Sequence, residues 1–168
     1  MSRALVVVGT SGRIKRVELQ GGRILDGQKS DAVRLTPCIQ GVTLLPMKSH
    51  SDGRGELGIL ESGTDLGFDI KRVFYVKVDH AGVIRAEHAN SASEVIVVLA
   101  GAVTIDLDNG RERQTLTLID ATKAVRIQAG VWLRLRDFSP CTLLLVVCSH
   151  AYADTITYGT PQPALLFR

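Results

Sequence analysis

The stretch Gly82-Val83-Ile84-Arg85-Ala86-Glu87-His88-Ala89-Asn90, with Glu94 and Gly101 after it, decides how this chain is read. Its order is G-x5-H-x-N-x3-E-x6-G. His88 and Asn90 stand two apart, and alternate residues of a β-strand point to one face. The apolar run after Glu94 ends at Ala100-Gly101, which marks a turn. An imidazole and an amide are therefore expected on one face.

That spacing resembles the first signature of a cupin barrel, and the rest of the chain agrees with such a fold. Apolar residues come in short runs rich in Val, Ile, Leu and Thr, cut by Gly, Asp, Asn and Ser. Strands are expected at Ala4–Val8, Gly58–Leu60, Arg72–Val78, Glu94–Leu99, Ala102–Leu107, Arg113–Leu118, Ala124–Ile127, Leu133–Asp137 and Thr142–Ser149. Asp108-Asn109-Gly110 supplies the positive φ angles of a tight hairpin. No long 3.6-residue apolar repeat exists, so helix is expected to be minor. The expected fold is all-β: a cupin-type jelly-roll β-barrel over residues 47–168, preceded by a hairpin-rich extension over residues 1–46. In that extension Ile14–Leu19 and Arg23–Leu25 flank the turn Gln20-Gly21-Gly22. The tail Gly159–Arg168 is expected to be irregular and docked through Leu165, Leu166 and Phe167.

Composition narrows the function classes. The chain of 168 residues, 45% hydrophobic and 22% charged, is ordinary for one globular core with a small appendage. Residues 1–46 carry 7 Lys/Arg against 3 Asp/Glu, and the remainder carries 13 against 14, so the net charge of +3 comes from the N-terminal segment. Aromatics at 5% give no stacking platform for nucleic acid. The three cysteines are widely spaced without a C-x-x-C pair, which fits a reducing cytoplasm. Ala4–Val8 is too short for a signal sequence, and no apolar stretch spans a bilayer.

A metal centre is not expected. Cupin sites gather three or four inward ligands, and here only His88 and Glu94 are good ones. A later strand usually adds a histidine after the barrel turn, but Leu133 stands there, in Gln128-Ala129-Gly130-Val131-Trp132-Leu133. No cofactor motif is present, neither a Walker loop nor a dinucleotide fingerprint nor a G-x-S-x-G elbow. His88 without a metal remains a proton carrier, because imidazole titrates near neutrality. Asn90 beside it can hydrogen-bond a hydroxyl or carbonyl but cannot relay a proton. Arg54, between Gly53 and Gly55, and Arg85, near His88, are candidate anion ligands for a diphosphate. Phe74 and Tyr75 must face opposite sides of a regular strand, one toward the cavity and one away. Trp132 is a candidate pocket border, with core packing as its alternative.

From about residue 47 to 158 the chain resembles the sugar-nucleotide 3,4-ketoisomerases acting on dTDP-4-keto-6-deoxyglucose, the WxcM-like cupin family. The matching landmarks are Asp52-Gly53-Arg54-Gly55-Glu56-Leu57, Phe68-Asp69-Ile70-Lys71-Arg72-Val73-Phe74-Tyr75, Arg85-Ala86-Glu87-His88-Ala89-Asn90, Asp108-Asn109-Gly110, Val131-Trp132 with Asp137-Phe138-Ser139, and Ser149-His150-Ala151-Tyr152. The resemblance implies a metal-free jelly roll, a homodimer, and a carbonyl moved from C4 to C3 through an enediol. It implies that Arg54 and Arg85 hold the nucleotide sugar, with His88 beside the hexose. The family's R-G-x-H-A-H reads here with Ala86 and Asn90. Its Tyr-Tyr reads Phe74-Tyr75, and its W-H pair reads Trp132-Leu133. Binding groups are kept better than proton-transfer groups. A binding protein without catalysis, or an epimerase or lyase on a related nucleotide sugar, are therefore the competing expectations.

Overall fold

Strand alternation builds this protein, and the computed structural model describes it for residues 3–8, 14–19, 38–119, 121 and 123–167. The chain divides into two compact units, Met1–Thr36 and Pro37–Arg168. In the first, β1 (Arg3–Val8) pairs antiparallel with β2 (Ile14–Leu19), from Arg3 opposite Leu19 to Val8 opposite Ile14. The extension is thus a hairpin, but Ile14–Leu19 takes the Val-rich Arg3–Val8 as its partner. The expected partner Arg23–Leu25 and its turn lie outside the described residues.

The second unit holds β3 (Val42–Pro46), β4 (Lys48–Asp52), β5 (Gly55–Ile59), β6 (Arg72–Val78), β7 (Arg85–Asn90), β8 (Glu94–Ala100) and β9 (Val103–Asp108). It continues through β10 (Arg113–Leu118), β11 (Lys123–Ile127), β12 (Trp132–Arg136), β13 (Thr142–Cys148), β14 (Thr157–Tyr158) and a one-turn helix α1 (Pro163–Leu166). Two five-stranded antiparallel sheets form, in the orders β3-β11-β8-β13-β6 and β10-β9-β12-β7-β14, and β4-β5 is a separate hairpin. The fold is all-β, as expected, with the sheets stacked rather than hydrogen-bonded round into a closed barrel. The boundary expected after Pro46 moves to Thr36, because Val42–Pro46 pairs along Lys123–Ile127 as an edge strand of the second unit.

One core lies between the sheets. Ile96, Val98, Val125, Ile127, Leu144 and Val146 from the first meet Val103, Ile105, Leu107, Leu133 and Leu135 from the second. Each such side chain contributes about 1.5–3 kcal/mol on burial. The first sheet is buried on its other face as well: Leu66, fully buried, packs with Val95, Val97, Ala124 and Val147. Double-sided burial explains why Glu94–Ala100 reads as a nearly unbroken apolar run. The second sheet alternates instead. Val103, Ile105 and Leu107 point in, while Asp106 on the outer face accepts hydrogen bonds from Arg136 at 2.7 Å and Arg134 at 2.8 Å. Arg136 and then Arg134 hold the Asp106 carboxyl well below the usual carboxylate range.

Two turns differ in mechanism. At Asp108-Asn109-Gly110 only Gly110 takes a positive φ. Asn109 acts through its side chain, whose Oδ1 accepts from the backbone N–H groups of Arg111 and Glu112. The expected tight Asn-Gly hairpin is thus an Asx turn with a longer loop. The tail docks as expected: Leu166 packs on the core and Phe167 lies under the Arg111 guanidinium at 3.7 Å.

β7 is irregular where the site begins. Leu133 opposes His88 and Arg134 opposes Ala86, so Glu87 is an extra residue. Ala86 and Glu87 carry φ of 66° and 62°. A left-handed non-glycine residue costs about 1–2 kcal/mol. Ala86→Gly is therefore expected to raise the unfolding free energy by about 1 kcal/mol in a urea titration. Gly101→Ala should act oppositely and more strongly. Gly101 has φ +81°, and a Cβ there would lie 2.4 Å from Thr142 Oγ1 and 2.8 Å from its Cα. Left-handed strain and overpacking together predict a loss of about 2–4 kcal/mol in the same measurement.

Candidate functional site

A cleft of about 820 Å³ opens at one end of the core. Strand period assigns its walls. β6 contributes Arg72 and Phe74, two apart and on one face; β7 contributes His88 and Asn90; β8 contributes Glu94. The fourth wall is the segment after β13, with Tyr152 in a 3-10 turn (Tyr152–Asp154) and Thr155 and Thr157 beyond it.

The floor is one connected polar network. Asn90 is buried, and its Nδ2 donates to Glu94 Oε1 at 3.0 Å and lies 3.3 Å from His88 Nε2. Thr157 Oγ1 donates to Asn90 Oδ1 at 3.2 Å, and the Glu94 carboxylate, which accepts, fixes which way the amide points. An amide NH2 can only donate, so His88 Nε2 accepts, and the neutral imidazole carries its proton on Nδ1. Glu94 Oε1 also receives the Cys148 thiol at 3.5 Å and has the Arg72 guanidinium at 3.8 Å. Burial pushes the Glu94 carboxyl above its ordinary 4.5, against the pull of Cys148, His88, Arg72 and Asn90. Burial first, and the Glu94 charge second, push the Cys148 thiol up to about 11. Cys148 therefore stays protonated near neutral pH and is a donor, not a nucleophile.

Arg72 is the cation of this lining. Its side chain is 17% exposed, it touches Cys148 Sγ at 3.4 Å, and its Nε is buried with no hydrogen-bond partner. The guanidinium lies 5.4 Å from the Phe74 ring centroid and 5.5 Å from that of Tyr152. A half-satisfied fork framed by aromatic faces is suited to an anionic ligand. Asn90 Nδ2 engages His88 Nε2 and Glu94 Oε1, and among the described residues no group of three His, Cys, Asp or Glu is placed to hold a metal ion.

The structure sorts the expected site residues. His88, Asn90 and Phe74 share the cleft. Tyr75 faces away from Phe74 and is 70% exposed, as strand alternation requires. Arg85 lies three residues before His88, across the extra residue at Glu87, and is exposed and not among the residues lining the cleft. Trp132 alternates with the buried Leu133 and so faces away from the core, beside Ala89 and Asp108 in register. Arg54 sits at the tip of the β4-β5 hairpin, 92% exposed and clasped by Asp52 at 2.6 Å. Of Arg54, Arg85 and His88, only His88 is among the residues lining the cleft. Sequence reasoning passed over Arg72 and Tyr152. The i, i+2 relation of Arg72 to Phe74 was the available signal for the first; for Tyr152 it was its place in the landmark Ser149-His150-Ala151-Tyr152.

A family model described as FdtA: WxcM-like, C-terminal matches residues 40–158. The chain belongs to this family. A TDP-4-oxo-6-deoxy-alpha-D-glucose-3,4-oxoisomerase from Aneurinibacillus thermoaerophilus is 31% identical over 113 residues, covering 67% of this chain and 81% of the relative. The solved structure of QdtA, a sugar 3,4-ketoisomerase from Thermoanaerobacterium thermosaccharolyticum in complex with TDP, is 31% identical with a TM-score of 0.66, covering 71% of this chain and 89% of that one. The TDP-quinovose 3,4-ketoisomerase WlaRB of Campylobacter jejuni is 26% identical with a TM-score of 0.69, covering 77% and 100%.

The buried carboxylate leaves a signature in stability. Because the folded state raises the Glu94 pKa, it holds that proton more tightly than the unfolded chain. Its contribution is fully present below 4.5 and is lost as pH rises through the folded value. Glu94→Gln removes this titration while keeping an oxygen for Asn90. The difference in urea midpoint between Glu94→Gln and the parent is expected to shift in favour of the variant as pH climbs from 4.5 toward neutrality.

Proposed function

We propose that this chain is a sugar-nucleotide 3,4-ketoisomerase, acting on a dTDP-4-keto-6-deoxyhexose by proton shuttling through an enediol. The observation that carries the reading is the cleft in which His88 and the partly unsatisfied Arg72 face one space of about 820 Å³. Membership of the family and its TDP-binding relatives support it.

In this reading Arg72 meets the diphosphate with forked, charge-assisted hydrogen bonds, and the exposed Tyr152 ring borders the nucleotide. His88 serves the hexose. A base removes the proton on C3, the C3–C4 double bond forms, and O4 takes a proton to give the enediol. O3 then releases its proton, C3 becomes the carbonyl carbon, and C4 receives a proton on carbon. Every proton removed is returned, so no oxidant or cofactor enters. The Nδ1–H tautomer enforced by Asn90 makes His88 a ready donor at Nδ1. Glu94 and Asn90 hold the ring and do not themselves touch the reacting carbons.

The working form in this proposal is a cytoplasmic homodimer. The β4-β5 hairpin bonds to neither large sheet and is exposed along almost its whole length, with Leu57 60% exposed. Two-stranded ribbons are marginal alone, so a partner copy is its natural support, and Arg54 at its tip would serve that partner's cleft. On the opposite face of β6 from the cleft, Val73 and Tyr75 are exposed apolar surface for the same contact. Leu57→Asp is expected to shift the protein toward monomer in sedimentation velocity.

A second reading has its own support: Asn90 cannot relay a proton, and Leu133 is a core residue, 3% exposed. The cleft would then bind without turnover. Incubation with dTDP-4-keto-6-deoxyglucose in deuterated water separates the two by NMR. Exchange at C3 with formation of the 3-keto sugar is expected, and His88→Asn should slow it about 100- to 10,000-fold, the scale of a positioned acid–base group. Binding of dTDP with no exchange establishes the second reading instead, and an inverted centre or eliminated group marks an epimerase or lyase. Arg72→Met should weaken dTDP binding by about 10- to 100-fold, the scale of charged hydrogen bonds.

A further inference from the structure

Another cavity, of about 180 Å³, lies against the opposite face of the β3-β11-β8-β13-β6 sheet from the cleft, and the two share no lining residue. Its cation is Arg126. On β11, Val125 and Ile127 point into the core, so Arg126 between them points outward. Its Nη1 reaches the Leu66 carbonyl and its Nη2 the Thr43 hydroxyl, each at a long 3.4 Å, and its buried Nε has no partner. Among the described residues no carboxylate pairs with it. Arg134 and Arg136, by contrast, share Asp106, and Arg113 has Asp108. An unpaired, partly buried guanidinium is costly. Gly67 makes room for it, since a Cβ there would lie 2.5 Å from Nη1.

The remaining walls give the ligand its character. Leu66, Phe68 and Leu165 are apolar, and Ser93 and Gln128 are polar. Ser93 Oγ accepts from the Ala129 N–H at 3.3 Å, leaving its own O–H to donate. We infer that this cavity is a second ligand site, for a small organic monocarboxylate whose carboxylate pairs with Arg126 and Ser93 and whose short aliphatic body lies on Leu66, Phe68 and Leu165. A single negative charge matches a single guanidinium. A dianion such as phosphate would leave surplus charge against the apolar walls.

Calorimetric titration of the full chain with butyrate, its neutral analogue butyramide, and inorganic phosphate tests this. Saturable binding of butyrate, with butyramide silent and phosphate weaker, is expected. Arg126→Met should lower butyrate affinity about tenfold or more, the scale of one charge-assisted hydrogen bond, and leave dTDP binding unchanged. A readout on the unmodified protein guards against misfolding of the variant: the Arg126 Nε–H resonance should move on adding butyrate and not on adding butyramide. No saturable butyrate binding, equal response to butyramide, or phosphate binding as tight as butyrate would each overturn the assignment.

Discussion

The two-residue period of β8 is the constraint on which this molecule rests. It sends Ile96 and Val98 into the core between the sheets and Val95 and Val97 under Leu66. A strand sealed on both faces has no tolerance for a slip of register. The same period puts Glu94, at the strand's first position, on the inner face. A carboxylate is thereby carried to the end of an apolar core, where it must be answered by polar groups or remain protonated.

The answer comes from three strands. Asn90 from β7, and Arg72 from β6 with Cys148 from β13, surround Glu94 at hydrogen-bond or near ion-pair distance. None of these groups is fully satisfied by the others: Arg72 keeps a partnerless Nε, and Cys148 lends only a weak donor. The arrangement is therefore rigid at its base and unfinished at its open side. The same interactions that make burial of Glu94 tolerable orient His88 through Asn90. Packing and proton chemistry are two uses of one set of contacts.

How much of this was legible in the sequence follows from the range of the forces involved. Period two is local, so the strands from Arg72 to Cys148 other than β7, the opposition of Phe74 and Tyr75, and the shared face of His88 and Asn90 could all be read. The turn at Gly101 could be read too, because its backbone needs glycine. Period two puts Arg72 on the face of Phe74, but nothing local ranks it above Arg54 and Arg85, since an arginine's distant neighbours are set by sheet order, and β6 meets β7 only across the cleft. Short strands escaped as well. Val42–Pro46 pairs only along an edge, and Lys48–Asp52 is polar throughout, so neither carries the alternation that marks a half-buried strand. The extra residue at Glu87 is invisible to composition, since a bulge depends on pairing with β12.

The wall carrying Tyr152, Thr155 and Thr157 is attached quite differently from the floor. β14 spans only two residues, Thr157–Tyr158, and the neighbouring link is a reciprocal pair in which the Ser91 N–H donates to the Ile156 carbonyl and the Ile156 N–H to Ser91 Oγ. No residue of the 3-10 turn ahead of it is buried. Segments with so little apolar anchorage detach at a small fraction of the free energy needed to melt the whole domain. The hydrogen bond received by the Asn90 carbonyl oxygen, from Thr157 Oγ1, therefore belongs to the least anchored wall of the cleft, whereas the bond its amide donates to Glu94 belongs to the most deeply packed one.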